Sequence, residues 1–321
     1  MQHRQAKARA STFRHMASTA AQSATPGHAT STRPGVWLTD ITLVAVAFIW
    51  GVNYPIVKFG TTLVEPLAYN GLRVALAAVL LTTIVAIGRA PLPPARTIAV
   101  LLGLGVLGNG VYQFLFVEGI ARTRASDAAL FIAASPAFIA IVGRLRGVER
   151  ISPRGAGGIA VSIAGIALVV LGTATGHQGQ ATLTGDLLVL AGSLMWAIYT
   201  VLLKPYTHDV SGMQLSAFTM IGGAIPLVAV AWPAISSAPW RSLPAIGWTA
   251  IAYSGVFALV IAYYFWYRGV RVIGPTRTAM YSNLQPLIAV MVAWAMLGET
   301  PTVWQGLGAA CIIGGLLLTR T

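Results

Sequence analysis

Trp50–Lys58 reads W-G-V-N-Y-P-I-V-K, and Trp196–Lys204, 146 residues further on, reads W-A-I-Y-T-V-L-L-K, with the tryptophan and the lysine in register. Beyond this pair the offset becomes 150: Gly119 matches Gly269, Pro136 matches Pro286, Glu149 matches Glu299, Gly158 matches Gly308 and Gly165 matches Gly315. Apolar sequences match one another cheaply on Gly and Leu, but Trp, Lys, Pro and Glu repeated at a steady offset mark a duplication. On either side of these copies lie stretches such as V-S-I-A-G-I-A-L-V-V-L-G (161–172) and I-I-G-G-L-L-L-T (312–319). Both are apolar on every face, as in a membrane-spanning helix and unlike the alternating strands of a membrane barrel.

The composition agrees. Of 321 residues, 56% are hydrophobic and 9% charged, with a mean hydropathy of +0.74, so too few charged side chains exist to wet a soluble surface. A spanning helix needs about 20 mostly apolar residues. Ten such runs are predicted, at 38–57, 66–87, 97–118, 125–142, 155–171, 185–203, 213–232, 244–267, 275–297 and 302–319. The expected fold is an all-α membrane protein of ten transmembrane helices in two five-helix repeats, 36–172 and 173–321. Because five is odd, the second repeat enters the membrane from the opposite side, the inverted arrangement of secondary transporters.

The net charge of +13 would suggest nucleic acid in a soluble protein. In a membrane protein it marks the cytoplasmic side. With the N-terminus inside, sixteen Lys and Arg fall on the cytoplasmic face, against Lys58, Arg122, Arg124 and Arg241 on the other. Both termini are therefore expected in the cytoplasm, with no nucleic-acid partner. Residues 1–35 are rich in Ala, Ser, Thr, His and Arg, without Asp or Glu. They read as a disordered basic leader; a cytoplasmic tail, a mitochondrial transit peptide and an upstream start codon, with Met16 as the alternative, are the readings open to it. The single cysteine, Cys311, excludes a disulfide within the chain and any Cys-rich metal centre.

Two stretches carry a family resemblance. L-G-E-T-P-T-V-W-Q-G-L-G-A-A-C-I-I-G-G-L-L-L (Leu297–Leu318) and G-V-E-R-I-S-P-R-G-A-G-G-I-A-V-S-I-A-G-I-A-L (Gly147–Leu168) each place a Glu before a glycine-bearing last helix, and A-S-P-A-F (134–138) and L-Q-P-L-I (284–288) each carry a proline. Over about residues 38 to 319 the chain resembles the EamA-type transporters of the drug/metabolite transporter superfamily. The resemblance implies a helical permease of the cell membrane, commonly an exporter of amino acids or other small metabolites, with no cofactor. One departure is the run V-G-R-L-R-G-V-E-R (142–150), which puts Arg144 and Arg146 where the family is usually apolar. Either span 4 ends early with its arginines at the headgroups, or it carries a basic cytoplasmic mouth.

A polar side chain in hydrocarbon needs a reason, since a charge at the centre of a span costs about 2.5–3.5 kcal/mol on insertion scales. Span 1 supplies Trp50, Asn53 and Tyr54; span 3 supplies Asn109, Tyr112 and Gln113; span 6 supplies Trp196, Tyr199 and Thr200. Span 8 supplies Tyr253, Tyr263 and Tyr264, and spans 4 and 9 supply Ser135, Tyr281, Asn283 and Gln285. Spacings of three and four put Trp50, Asn53 and Tyr54 on one helix face, as they do Asn109, Tyr112 and Gln113, and likewise Tyr281 and Gln285. Such aromatic and amide stripes suit an amphipathic solute; interhelical hydrogen bonding is the competing role. Tyr253, Tyr264 and Trp266 also fit an interfacial aromatic belt.

Arg73 lies about two turns into span 2, three and four residues from Asn70 and Tyr69, and is expected to meet a carboxylate of the substrate or of the protein. The substrate-binding candidates are thus Trp50, Asn53, Tyr54, Arg73, Tyr112, Gln113, Trp196, Tyr199, Tyr281, Asn283 and Gln285. Pro55, Pro136 and Pro286 are candidate hinges, and Lys58 and Lys204 candidate gate residues or headgroup anchors. No carboxylate falls at a span centre, only Glu118 in the last turn of span 3, so exchange or facilitated diffusion fits better than proton coupling. Gly158, Gly165, Gly308 and Gly315 suit a close helix crossing, within the chain or in a homodimer. All five histidines (His3, His15, His28, His177 and His208) lie in the leader or in loops, and no HExxH, GxSxG or P-loop string occurs. An enzyme and a metal site are therefore not expected. A sugar-phosphate or nucleotide-sugar carrier, and a channel or scaffold, remain the alternatives.

Overall fold

In the computed structural model the described residues are 36–147, 152–175, 183–207, 209–273, 278 and 281–318. The leader, Glu149 and the start predicted for span 9 lie outside them. A leading unit ends at Trp37, and the remainder, Leu38–Thr321, forms one compact unit.

The regular structure of the described residues is all helical, with no strand among them. Eight helices are long and apolar enough to cross a membrane. They begin with α1 (Val36–Leu63), α2 (Pro66–Gly88), α3 (Ala95–Arg122) and α4 (Ala125–Leu145), and continue through α5 (Pro153–Thr175), α6 (Leu183–Leu203), α7 (Gly212–Ser237) and α8 (Ala245–Ile273). Two shorter apolar helices follow, α9 (Ser282–Leu297) and α10 (Val303–Leu318).

Local chemistry sets the ends. Pro66 opens α2 in the first turn, where its missing N–H costs nothing. Gly298 closes α9 in the left-handed region (φ 68°), with its own N–H donating to the Trp294 carbonyl and that of Glu299 to the Ala293 carbonyl. Thr302 and Gln305 form a reciprocal capping box at α10: the Gln305 N–H donates to Thr302 Oγ1 (3.2 Å) and the Thr302 N–H to Gln305 Oε1 (2.9 Å). α4 ends at Leu145 with Arg144 and Arg146 exposed.

Packing follows the duplication. The pairs α2·α7, α4·α9 and α5·α10 each set one of the first five helices against its counterpart among the last five. At the α5·α10 crossing the glycines face one another, since a Cβ on Gly165 would lie 2.7 Å from the Gly308 carbonyl oxygen and one on Gly315 2.3 Å from that of Gly158. The crossing is antiparallel, and it uses within the chain the four glycines that also suited a dimer. Large apolar side chains such as Val79, Ile87, Ile225, Val230 and Trp232 are exposed on the outside, the surface that lipid covers.

Candidate functional site

The helices are irregular at matching places in the two halves. α3 widens to a π-helical turn at Val106–Val111 and α8 at Tyr253–Ile261, stretches that overlap when shifted by the repeat offset. α4 breaks at Ala134 and restarts at Ser135–Pro136; α9 turns through Ser282–Leu284 and restarts at Gln285–Pro286. Pro55 lies inside α1, leaving the Gly51 carbonyl without a helical donor. π-turns and proline breaks re-aim side chains out of the 3.6-residue register, and those of α4, α8 and α9 bring Ser135 and Pro136, Ala258 and Leu259, and Ser282 and Gln285 to the wall of a cavity of about 100 Å³.

Its wall is aromatic. Ring centroids run from Trp266 to Trp50 (5.1 Å), Trp50 to Tyr263 (6.0 Å), Tyr263 to Trp196 (6.1 Å) and Trp196 to Tyr112 (5.2 Å), then through Phe116 to Tyr54 at 5.6 Å a step. All seven line the cavity. The Trp50 indole N–H donates to the Ala258 carbonyl within the π-turn of α8 (2.9 Å), and the Tyr54 hydroxyl donates to Gln285 Oε1 (3.3 Å).

The polar floor centres on Arg73, 1% exposed. Its guanidinium donates through Nε to Asn70 Oδ1 (3.0 Å), through Nη1 to Ser254 Oγ (2.7 Å) and through Nη2 to Gln113 Oε1 (2.5 Å). Asn70 is itself held, its Nδ2 donating to the Gln113 carbonyl (2.8 Å). Hydrogen bonds from a charged donor are worth about 1.5–3 kcal/mol each, enough to offset the insertion cost of the arginine, but every acceptor is neutral. The carboxylates are engaged or placed elsewhere. Asp40 accepts from the Tyr281 hydroxyl, Glu118 pairs with Arg122, Asp127 accepts from Gln305 and Asp186 from Thr123. Glu299 caps the start of α4, while Glu65 and Asp209 are exposed. Among the described residues no carboxylate pairs with Arg73. Asn53, 6% exposed and also on the cavity wall, has no hydrogen-bond partner for Oδ1 among them either.

Of the sequence-predicted residues, Trp50, Asn53, Tyr54, Arg73, Tyr112, Gln113, Trp196 and Gln285 line the cavity, as does the hinge candidate Pro136. Tyr199 sits behind Trp196 (5.4 Å between rings), its hydroxyl 3.3 Å from Thr219 Oγ1 and 3.1 Å from the Tyr267 hydroxyl. Tyr281 does not share the cavity with Gln285, because the tight turn between them breaks the assumed spacing; its hydroxyl donates to Asp40 Oδ1 (2.7 Å). Asn283 lies in that same turn, from which only Ser282 faces the cavity. Asn109 leaves the face it was expected to share with Tyr112 and Gln113, since the π-turn rotates it against Gly223 of α7. Phe116, Ile132 and Ile139 line the cavity and carry no polar atom that would single them out in sequence; Trp266 lines it rather than a lipid-facing belt.

At one end of the bundle a polar clasp joins the α3–α4 turn to the α9–α10 turn. Glu299 accepts from the Ala125 N–H (2.9 Å), the Ser126 N–H (3.1 Å) and the Ser126 hydroxyl (2.7 Å). Arg124 Nη2 donates to the Thr300 carbonyl (2.6 Å), and Gln305 Nε2 to Ser126 Oγ (2.9 Å) and Asp127 Oδ1 (2.7 Å). Beside it Lys58, 8% exposed, donates to the Ala121 carbonyl (3.0 Å), whereas its repeat partner Lys204 is exposed.

A multi-pass helical membrane protein with an aromatic and amide cavity between repeated halves has the architecture of a transporter. The chain belongs to the EamA-like transporter family, whose model matches residues 37–171 and 183–321. It is 28% identical to the uncharacterized transporter YyaM of Bacillus subtilis over 67% of this chain and 70% of that protein. An uncharacterized transporter of Archaeoglobus fulgidus is 28% identical over 88% and 96%, and the uncharacterized inner membrane transporter YedA of Escherichia coli is 28% identical over 86% and 88%. A solved crystal structure shares the fold, with a TM-score of 0.61 at 18% identity over 87% of this chain and 98% of its own.

Proposed function

We propose that the protein is a permease of the inner or plasma membrane that exports amino acids or related amphipathic metabolites by alternating access. In this reading α9 and α10 complete ten spans, both termini are cytoplasmic, and residues 36–172 and 173–321 act as inverted halves. The observation that carries it is the mixed parentage of the cavity: Asn53, Arg73 and Gln113 come from the first half, Trp196, Tyr263 and Gln285 from the second. A site built from two inverted halves changes its exposure when they rock against each other, without the site being rebuilt.

The clasp around Glu299 serves as the gate at the outer end, with Lys58 sealed beneath it, and Pro136 and Pro286 are the hinges at which the broken helices flex. A sugar-phosphate carrier needs several convergent cations. Among the described residues Arg73 is the cation on the cavity wall, which favours the metabolite reading.

Flux in proteoliposomes across amino acids, amines and phosphorylated sugars tests it. Saturable movement of at least one small metabolite is the expected result; folded protein that moves none of them removes the permease reading.

A further inference from the structure

Resting on the permease reading, we infer that the cavity rejects cations, with Arg73 as the specificity-determining residue whose fixed charge turns an aromatic box against positively charged solutes. By its rings alone the wall would attract them. Along the series Trp266, Trp50, Tyr263 and Trp196, successive ring centroids stand 5.1, 6.0 and 6.1 Å apart, and all four line the cavity. Cages of this kind hold quaternary ammonium groups against their ring faces.

The charge on the wall has the opposite sign from the one such a cage needs. Arg73 lines the cavity, its guanidinium bonded to the neutral oxygens of Asn70, Ser254 and Gln113, and an arginine does not shed its proton. Of the eight acids in the chain, seven are described and none of these lines the cavity; the eighth, Glu149, follows the last residue of α4 by four positions. One ring is also taken already, since Arg73 Cζ lies 5.9 Å from the centroid of Phe116, itself on the wall. A cation entering this box leaves water, at a cost that a paired carboxylate would ordinarily offset, and meets a like charge instead. At an effective dielectric of about 20, like charges about 10 Å apart lose roughly ten-fold in affinity, and more when closer. Desolvation and repulsion add, so attraction to the ring faces recovers only part of the loss. Neither penalty falls on a neutral solute of the same shape.

Choline and 3,3-dimethylbutan-1-ol are such a pair, identical in outline and different by one positive charge. Each is titrated into purified protein, read by quenching of tryptophan fluorescence, because Trp50, Trp196 and Trp266 wall the cavity. Wild type is expected to bind the alcohol at least about ten-fold more tightly than choline. Arg73→Gln removes the charge, and Gln113→Glu neutralises it while keeping the arginine and an acceptor for its Nη2; each is expected to raise the ratio of choline to alcohol affinity at least about ten-fold. A purely structural role for Arg73 predicts no gain of choline in Gln113→Glu. Wild type that binds choline as tightly as the alcohol overturns the inference, as do folded variants that leave the ratio unchanged and a cavity that fails to bind the alcohol. If neither variant folds, the wild-type pair decides alone. Flux in proteoliposomes separates this from the permease reading: a protein that discriminates in binding but carries no solute keeps the inference and loses the permease, whereas one that carries choline as well as neutral solutes does the reverse.

Discussion

Gly165 and Gly308 meet backbone to backbone where α5 crosses α10: a Cβ on the first would lie 2.7 Å from the carbonyl oxygen of the second, and one on the second 2.8 Å from that of the first. With lipid as apolar as leucine, close van der Waals contact of this kind takes the place of the hydrophobic effect in holding helices together. Gly165→Leu or Gly308→Leu forces the helices apart, an overpacking cost of about 1–3 kcal/mol, and is expected to lower the melting temperature in detergent. Gly157→Leu and Gly306→Leu are the controls, because nothing lies within 4 Å of a Cβ at either. Equal destabilisation of all four would show that the crossing contributes nothing special.

Glu299 makes three hydrogen bonds to the first turn of α4. As an N-terminal cap with a negative charge, it contributes about 1–2 kcal/mol. Glu299→Gln is expected to favour the state open at that end by roughly ten-fold. A single cysteine at Ile132, on the cavity wall, should then react faster with a membrane-impermeant maleimide applied from outside, in a Cys311→Ser background. An unchanged labelling rate would show that the clasp does not gate.

Asn53 and Tyr199 occupy equivalent places in the repeats but separate in space, one on the cavity wall and the other behind it. Asn53→Ala is expected to reduce flux by about ten-fold or more with its melting temperature retained. Tyr199→Phe loses the contacts with Thr219 and Tyr267, about 0.5–1.5 kcal/mol each, and should lower thermal stability while ligand affinity holds. Paired melting and binding curves separate the two effects; a fall in stability for Asn53→Ala would make it interhelical glue.

Leu92 lies exposed between α2 and α3, and Arg241 between α7 and α8. In the proposed orientation, with both termini cytoplasmic, Leu92→Cys should be labelled only after an impermeant reagent reaches the inside, and Arg241→Cys from the outside in intact cells. The opposite pattern would invert the topology.

Much of this protein is legible in its residues, because hydrocarbon permits so little. A backbone without water must be helical, so runs like V-S-I-A-G-I-A-L-V-V-L-G (161–172) declare themselves. Polar residues are rare enough inside such runs that Asn53, Arg73, Gln113 and Gln285 stand out singly, and all four line the cavity. The duplication, read from Trp50 and Trp196, reappears as two tryptophans on one wall.

The places where the regular helix gives way emerge only from the folded chain. Spacing arguments assume 3.6 residues per turn; the π-turn at Val106–Val111 takes Asn109 off the face of Tyr112, and the tight turn at Ser282–Leu284 sends Tyr281 to Asp40 instead of the cavity. Phe116, Ile132 and Ile139 joined the wall by shape, a property of packing between helices distant in the chain. The neutrality of Arg73's partners was beyond the sequence for the same reason. Composition counts eight acids, but only the folded chain shows that those described lie or pair elsewhere, leaving the guanidinium facing the cavity without a carboxylate among them.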